Sequence, residues 1–441
     1  MAGGTSPVID GDVLGDLDLF GEGFVADPFP VFAGLQESAP VHHDAATGLW
    51  LISRYEDVER ILLDPAGFRP DNAQHAVTRL PIPALRVLAR AGFSLPPALA
   101  NNGGPSHTGL RRLVTRFFSA ARVSAAVPLI EETARELLTG AERELDARGR
   151  YDLAADYARL LPCRVMMRML GIEGVAPDTL VEWSDAALEL FYGRPATERQ
   201  IALAGLVGEF HQWLTAQVTD GAGQHGLIGA LRGHRLPDGT PLDIPTAVAA
   251  CFFVFIAGQS TTGQLIATVL RTGCADPSTW ARATDDVFAR NWVDEVLRRE
   301  PPVTTWRRVA ARDTELSGVR IPAGAELLLL LMGTGSDPSV FAEPERLCPH
   351  RENVRRHLSF GAGRHRCPGA LLARTEAATA LRAAATALPG VGLLDDDPDM
   401  LGLLSFRAPR RVRVARRQPG PGTEAALGQA AGGRHSAFSR P

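Results

Sequence analysis

One cysteine in this chain stands in a setting built for chemistry. The run Phe360-Gly361-Ala362-Gly363-Arg364-His365-Arg366-Cys367-Pro368-Gly369 is a glycine-rich loop leading straight into an alanine-rich, helical segment. A thiol there points toward a helix N-terminus, where unpaired N–H groups and the positive dipole end favour a thiolate. A thiolate is the electron-donating axial ligand that a haem iron accepts. Glycines 361, 363 and 369 let the backbone turn tightly and approach a flat macrocycle closely. The plain alternative is a buried structural cysteine beside a flexible turn.

Three further groups have suggestive spacing. His107 and Arg111 are i and i+4 on one helical face, a cationic pair suited to an anionic ligand edge. A basic surface patch would look the same. Glu295 and Arg298, i and i+3, can form one ion pair, a spacing common on solvated faces. Ala257-Gly258-Gln259-Ser260-Thr261-Thr262 lies inside the apolar helix Val248 to Leu270. Glycine there costs about 1 kcal/mol relative to alanine. Something must approach or break the helix at that point, unless the residues serve core packing alone.

The elements that position these groups read as mainly α with a minor β portion, in a single domain. That domain spans 25–417, after an N-terminal extension over 1–24 and before a patternless, disordered tail over 418–441. Asp27-Pro28-Phe29-Pro30 opens a short helix, Leu49 to Ser53 is a strand, and Tyr55 to Leu63 is a helix. Residues 67–105 are rich in Pro, Ala, Asn and Gly and predict a long irregular loop. Helical patterns dominate from His107 to Glu300, where Pro301 and Pro302 end them. Val319 to Pro322 and Glu326 to Leu331 predict strands, and Ala370 to Leu388 the last helix. No internal repeat is seen.

The 441 residues are 45% hydrophobic and 22% charged, with a net charge of −4, an even balance that argues against a nucleic-acid partner. Five cysteines at long spacings, with no Cys-x-x-Cys, argue against a disulfide framework or a zinc site. All 46 basic residues are arginines, as GC-rich codon usage produces. No uninterrupted apolar run reaches the roughly 18 residues of a membrane span. The start Met1-Ala2-Gly3-Gly4-Thr5 lacks the features of a signal peptide. A cytoplasmic location is the expectation.

In this order the motifs resemble the cytochrome P450 family over about residues 25 to 415. The pattern Phe-Gly-x-Gly-x-His-x-Cys-x-Gly is similar to the family's haem-binding loop. It implies haem b (iron protoporphyrin IX) as cofactor and Cys367 as axial ligand to its iron, with Phe360, Gly361, His365 and Gly369 against the macrocycle. His107 and Arg111 resemble the helix that binds the haem propionates, and Gly109 stands where the family often has Arg. Arg308, in Trp306-Arg307-Arg308-Val309-Ala310, resembles the other propionate arginine, with His365 assisting. Carboxylates at the edge of an apolar pocket need such partners, because buried unpaired charge is costly. The stretch from Ala257 to Thr262 resembles the oxygen-binding groove, Ala-Gly-x-acid-Thr-Thr. This implies Gly258 in the groove and Thr261 as the threonine that helps deliver protons to dioxygen. Glu295 to Arg298 resembles the Glu-x-x-Arg helix, and Pro344-Glu345-Arg346-Leu347 the Pro-x-Arg-Phe segment. The implied result is a buried structural network of Glu295, Arg298 and Arg346 behind the haem. Leu347 stands where Phe is usual and Cys348 where Asp is common.

Two departures bear on the chemistry. Ser260 stands where the groove has an acid, and a hydroxyl cannot hold a proton reservoir at neutral pH. Either Ser260, Thr261, water and the substrate's own polar groups complete the relay, giving hydroxylation or epoxidation. Or the oxidant abstracts hydrogen and joins C–C or C–N bonds, or desaturates, with no oxygen retained. Pro368 has no N–H, so one hydrogen bond to the sulfur is missing, implying an electron-rich thiolate and a lower potential. A non-catalytic haem sensor would keep the thiolate loop without needing Thr261. By resemblance the substrate pocket draws on Asn72 to Ala100, Leu188 to Tyr192, Phe253, Ile256, Ala257, Thr304, Thr305 and the turn Ser405-Phe406. Its mostly apolar character suits a hydrophobic or aromatic small molecule. The resemblance is to the soluble bacterial type, set in secondary-metabolite tailoring, with O2 as co-substrate. No fused flavin or iron–sulfur module is read in the remaining sequence. Electrons are therefore expected from a ferredoxin and an NAD(P)H-dependent reductase, docking where Arg364 and Arg366 add positive charge.

Overall fold

The computed structural model describes residues 17–220, 225–236, 238–395 and 398–417. The chain opens with α1 (Glu22–Ala26), α2 (Phe29–Ser38), β1 (Val41–Asp44), β2 (Leu49–Ile52) and α3 (Tyr55–Leu63). β3 (Phe68–Arg69) and α4 (Ile82–Arg90) lead to α5 (His107–Phe117), α6 (Ala120–Leu137), α7 (Ala141–Arg148) and β4 (Tyr151–Asp152). A π-turn at Ala154–Ala158 precedes α8 (Leu160–Leu170), α9 (Pro177–Tyr192), α10 (Thr197–Thr219) and α11 (Gly226–Arg232). Then come the long α12 (Ile244–Ala275), α13 (Pro277–Arg282) and α14 (Asp286–Arg299). The strands β5 (Trp306–Ala310), β6 (Thr314–Leu316), β7 (Val319–Ile321) and β8 (Glu326–Leu329) precede α15 (Leu331–Thr334) and α16 (Ala370–Ala387). β9 (Val391–Leu393) and β10 (Arg413–Arg416) complete the order.

α12 is the axis of the helical part. Asp243 caps it, its Oδ1 accepting from the Thr246 N–H at 2.8 Å, and Pro245 occupies the first turn, where no N–H is needed. Its apolar residues are buried on several sides, against α8, α9, α10 and α16. Gln259 fastens it to α9, donating to the Leu180 carbonyl at 2.9 Å and to the Ser184 hydroxyl. A five-stranded sheet in the order β1-β2-β8-β5-β3 lies to one side. Only β2 and β8 run parallel in it, and Arg308 pairs with Leu327 across β5 and β8.

The mainly α, minor β architecture is the one expected, and Tyr55–Leu63 forms as read. The loop at 67–105 is not wholly irregular: α4 interrupts it. Only Ala84 and Leu88 of α4 are buried, so its periodic signal rests on two residues. β5 also escaped the sequence reading, since its Arg-Arg pair hides the apolar pattern of a buried strand. Leu19 is buried with Phe32 and Leu35, so the extension assigned to 1–24 joins the core from residue 17 on. The tail at 418–441 lies outside the described residues.

Two helical stretches are long and apolar enough to cross a membrane by length and composition, His107–Arg148 and Ile244–Ala275. The expectation of no such segment counted unbroken apolar runs and missed high mean hydropathy. In the fold the second stretch is α12 in the protein interior, and the first is divided into α5, α6 and α7.

Candidate active site

The loop before α16 and the middle of α12 face each other across an elongated, mainly apolar cavity. Cys367, Phe360, Gly361, His365 and Gly369 line it from the loop, and Phe253, Ala257, Gly258 and Thr261 from α12. The loop is closed by the Cys367 N–H, which donates to the Phe360 carbonyl at 2.8 Å. Gly361 and Gly363 have φ of +65° and +63°, which L side chains rarely adopt. At Gly363 a Cβ would also fall 2.7 Å from the Leu62 carbonyl oxygen. Gly369 has an ordinary φ of −85° and serves as the N-cap of α16.

Cys367 is an exposed residue that lines the cavity. Burial pushes its thiol above the ordinary range, opposed by a hydrogen bond from the Gly369 N–H and by Arg111, Arg374 and Arg366. The Gly369 N–H also offsets the donor that Pro368 lacks, so the sulfur is not without a hydrogen bond.

At one edge of the cavity gather His107, Arg111, Arg308 and His365. β5 alternates its side chains, so Trp306 and Arg308 face the cavity while Arg307 reaches the His75 carbonyl on the other side. The His107 and His365 rings lie 4.5 Å apart. Arg364 turns inward, its Nε 3.1 Å from His107 Nδ1 and its Nη2 donating to the Gly104 carbonyl at 2.7 Å. Burial and the neighbouring arginines push His107 down to about 4 and His365 down to about 3. Arg308, 3% exposed, is lowered to about 10 by burial alone. Both ring nitrogens of His365 are buried without a partner. Among the described residues no carboxylate lines the cavity.

Two arginines and two neutral imidazoles with no carboxylate on the cavity among the described residues, beside a cysteine thiol, are the donor set that a haem and its two propionates fit. Replacing Arg308 by alanine should cut haem retention about ten- to a hundredfold. Haem transfer to apomyoglobin measures it.

On α12 the residues Phe253, Ala257, Thr261 and Leu265 form one i, i+4 row that faces the cavity. Thr261 Oγ1 donates back to the Ala257 carbonyl at 2.6 Å. One expectation is extended here and one is corrected. A Cβ on Gly258 would meet Met166 Cε at 2.2 Å, so this glycine admits α8 as well as bordering the cavity. Ser260 does not line the cavity; it lies with Gln264 on a second cleft beyond α12.

The substrate-side residues divide similarly. Phe253, Ile256, Ala257 and Phe406 line the cavity, joined by Leu188, Phe191 and Tyr192 of α9 and by Gln74, Leu95 and Leu99 from the segment before α5. Thr304, Thr305 and Ser405 do not. Thr305 Oγ1 donates to the Leu404 carbonyl at 3.0 Å and lies 2.9 Å from Ser405 Oγ, while the Thr304 N–H bonds the Ser405 carbonyl. Their hydroxyls and backbone bracket two segments together, and the neighbours Val303 and Trp306 reach the cavity instead.

Behind the loop, Glu295 and Arg298 are fully buried and joined by two bonds of 2.8 and 3.0 Å. Every N–H of Arg298 is used, the rest going to the carbonyls of Gly335, Pro344 and Arg346. The third member is Arg351, not Arg346. Arg351 Nε lies 3.0 Å from Glu295 Oε1, whereas the Arg346 side chain is 68% exposed and pairs with Glu343. The segment turns so that Arg346 presents its carbonyl inward.

Glu376 on α16 went unnoticed in the sequence. It is fully buried, neither carboxyl oxygen has a partner, and burial holds it protonated well above the ordinary 4.5. The unfolded chain ionises this group near 4.5 and the folded chain does not, so stability falls as pH rises beyond that value. Glu376→Gln should match the parent at pH near 4 and exceed it increasingly toward pH 8, measured by denaturant unfolding.

A family model described as Cytochrome P450 matches residues 275–384. The chain is 31% identical over 385 residues to cytochrome P450 monooxygenase PikC of Streptomyces venezuelae, covering 86% of this chain and 88% of that one. It is 30% identical over 374 residues to the vitamin D(3) 25-hydroxylase of Pseudonocardia autotrophica, covering 82% and 87%. Among solved structures, cytochrome P450 CREJ in complex with (4-ethylphenyl) dihydrogen phosphate is similar with a TM-score of 0.83 at 28% identity, covering 89% of this chain and 98% of that one. Fold and cavity thus define a haem-dependent oxidoreductase. The chain belongs to the cytochrome P450 family; it is a cytochrome P450 monooxygenase whose cofactor is haem b.

Proposed function

We propose that this monooxygenase hydroxylates or epoxidises an apolar small molecule, with Cys367 as the axial ligand of its haem. The observation that carries this reading is a single apolar cavity bordered by Cys367 on one side and Thr261 on the other. Haem, when bound, supplies the activation of dioxygen. His107, Arg111, Arg308 and His365 would hold its propionates, and Phe360, Gly361 and Gly369, which line the same cavity, would pack against it. Thr261 Oγ1 accepts and passes protons on the α12 side, its own hydrogen resting on Ala257. Phe191, Phe253 and Phe406 exclude water and orient the substrate by contact area.

The setting is bacterial secondary-metabolite tailoring in the cytoplasm, supported by relatives such as PikC. Electrons come from a separate ferredoxin and its NAD(P)H-dependent reductase. Arg366 is exposed beside Cys367 and offers positive charge for docking, whereas Arg364 is spent on the propionate edge. A second reading, coupling or desaturation without oxygen insertion, draws support from the lack of any carboxylate lining the cavity among the described residues.

The test begins with ferric protein titrated against aromatic polyketides, cyclic dipeptides and macrolides while the Soret band is followed. A scaffold that shifts the spin state is then turned over under isotopic dioxygen. Label in the product supports insertion; an unlabelled coupled or desaturated product establishes the second reading.

A further inference from the structure

An arginine side chain donates hydrogen bonds and accepts none. Arg364 Nε lies 3.1 Å from His107 Nδ1, so that nitrogen carries a lone pair and the ring hydrogen sits on Nε2. The arginine is itself held in place. Its Nη2 donates to the Gly104 carbonyl at 2.7 Å and its Nη1 to the Gly103 carbonyl at 3.3 Å. The Gly104 carbonyl also accepts from the His107 N–H at 3.3 Å, so one oxygen fixes both the guanidinium and the backbone of the histidine. No carboxylate shares this guanidinium among the described residues. Its fork is given to one ring nitrogen and two carbonyls.

Which side of the ring faces the cavity follows from this. His107 lines the cavity edge with Arg111, Arg308 and His365, whereas Arg364 does not border the cavity. The two ring nitrogens lie on opposite sides of an imidazole, so turning Nδ1 to Arg364 leaves the Nε2 side for the cavity. The neighbouring ring does not take that hydrogen, because His365, 4.5 Å away, has no partner at either nitrogen. The charge count agrees. Arg111 and Arg308 bring two positive charges to meet two propionates, and His107 adds a donor without adding a third. Burial, Arg364 and Arg111 push His107 down to about 4, so the ring is neutral at neutral pH. A second ring hydrogen, on Nδ1, would point straight at the Arg364 N–H and break the contact.

We propose that Arg364 is a positioning residue for the haem edge: it fixes His107 as the neutral Nε2–H tautomer, so that the ring gives one directed hydrogen bond to a propionate. Arg364 acts wholly through His107, since it does not reach the cavity itself. A ring free to exchange tautomers would turn a lone pair toward the carboxylate part of the time, and repel it. The two arginines of the cysteine loop are thus divided in role, Arg364 turned inward to the histidine and Arg366 exposed.

The test uses haem-loaded protein with nitrogen-labelled histidine, held in the diamagnetic ferrous carbonyl form. Long-range proton–nitrogen correlation spectra give the tautomer of each ring, and the His107 signals are those lost in His107→Gln. The parent should show a bare Nδ1 and a protonated Nε2 at neutral pH. In Arg364→Met the Nδ1–H form should emerge beside it. Haem release to apomyoglobin should rise about tenfold in Arg364→Met, as when a group that orients a ligand is lost. Adding Arg364→Met to His107→Gln should change release by less than about twofold, because the residue it acts through is already gone. An Nδ1–H ring or an imidazolium in the parent overturns the proposal, whatever the variants do. So does a parental tautomer retained in Arg364→Met, or losses that multiply in a double variant of parental melting temperature. The inference rests on the haem-thiolate reading, which fails separately if the carbonyl form lacks the Soret band of a thiolate-ligated iron.

Discussion

Cys367→Ser is expected to fold and to lose turnover by more than about a hundredfold, beyond what losing a mere supporting partner of a metal costs. A serine hydroxyl is far less acidic than a thiol and donates far less charge, so the proposed iron ligand loses the property for which the site is built. The substitution is nearly isosteric at an exposed residue lining the cavity, so the fold has no reason to fail. The carbonyl of Phe360 still receives the N–H of residue 367, because that bond is backbone to backbone. Circular dichroism should therefore match the parent while the thiolate-specific visible spectrum disappears. A variant that kept the parental spectrum would remove Cys367 from the ligand role.

Glu295→Ala is expected to destabilise the protein by about 3–5 kcal/mol, the cost of leaving one partner of a buried ion pair uncompensated. Two guanidinium groups lose their anion together, since Arg298 and Arg351 both converge on this carboxylate, and the Cys348 N–H loses its acceptor. Arg346→Ala should cost less than about 1 kcal/mol, because its side chain makes only a solvent-exposed pair with Glu343. Soluble yield and denaturant unfolding compare the two variants. Equal losses would show that the network extends through the Arg346 side chain.

These contrasts show what kind of information a sequence holds. The cysteine loop and His107 with Arg111 stood out by local spacing along one element, whereas Arg308 was read from the family resemblance alone, on a strand the sequence did not disclose. Their grouping at one cavity edge agrees with that reading. Ser260 was placed one face wrong, although its helical row was open to inspection: Phe253, Ala257, Thr261 and Leu265 form one stripe, Ser260 and Gln264 another. Arg346 and Arg351 could not be told apart, because an irregular segment gives no period from which to infer which side chain turns inward. Thr304 and Thr305 failed for a related reason, since their hydroxyls answer to Leu404 and Ser405, about a hundred residues away. Long-range pairings of that kind leave no trace in local pattern.

The bolt from Gln259 to Leu180 and Ser184 ties two functions to one joint. α9 roofs the cavity through Leu188, Phe191 and Tyr192, while Gln259 stands two residues before Thr261. A bulky guest that raises this roof must either tug α12 at the register of Thr261 or shed both bonds of the Gln259 amide.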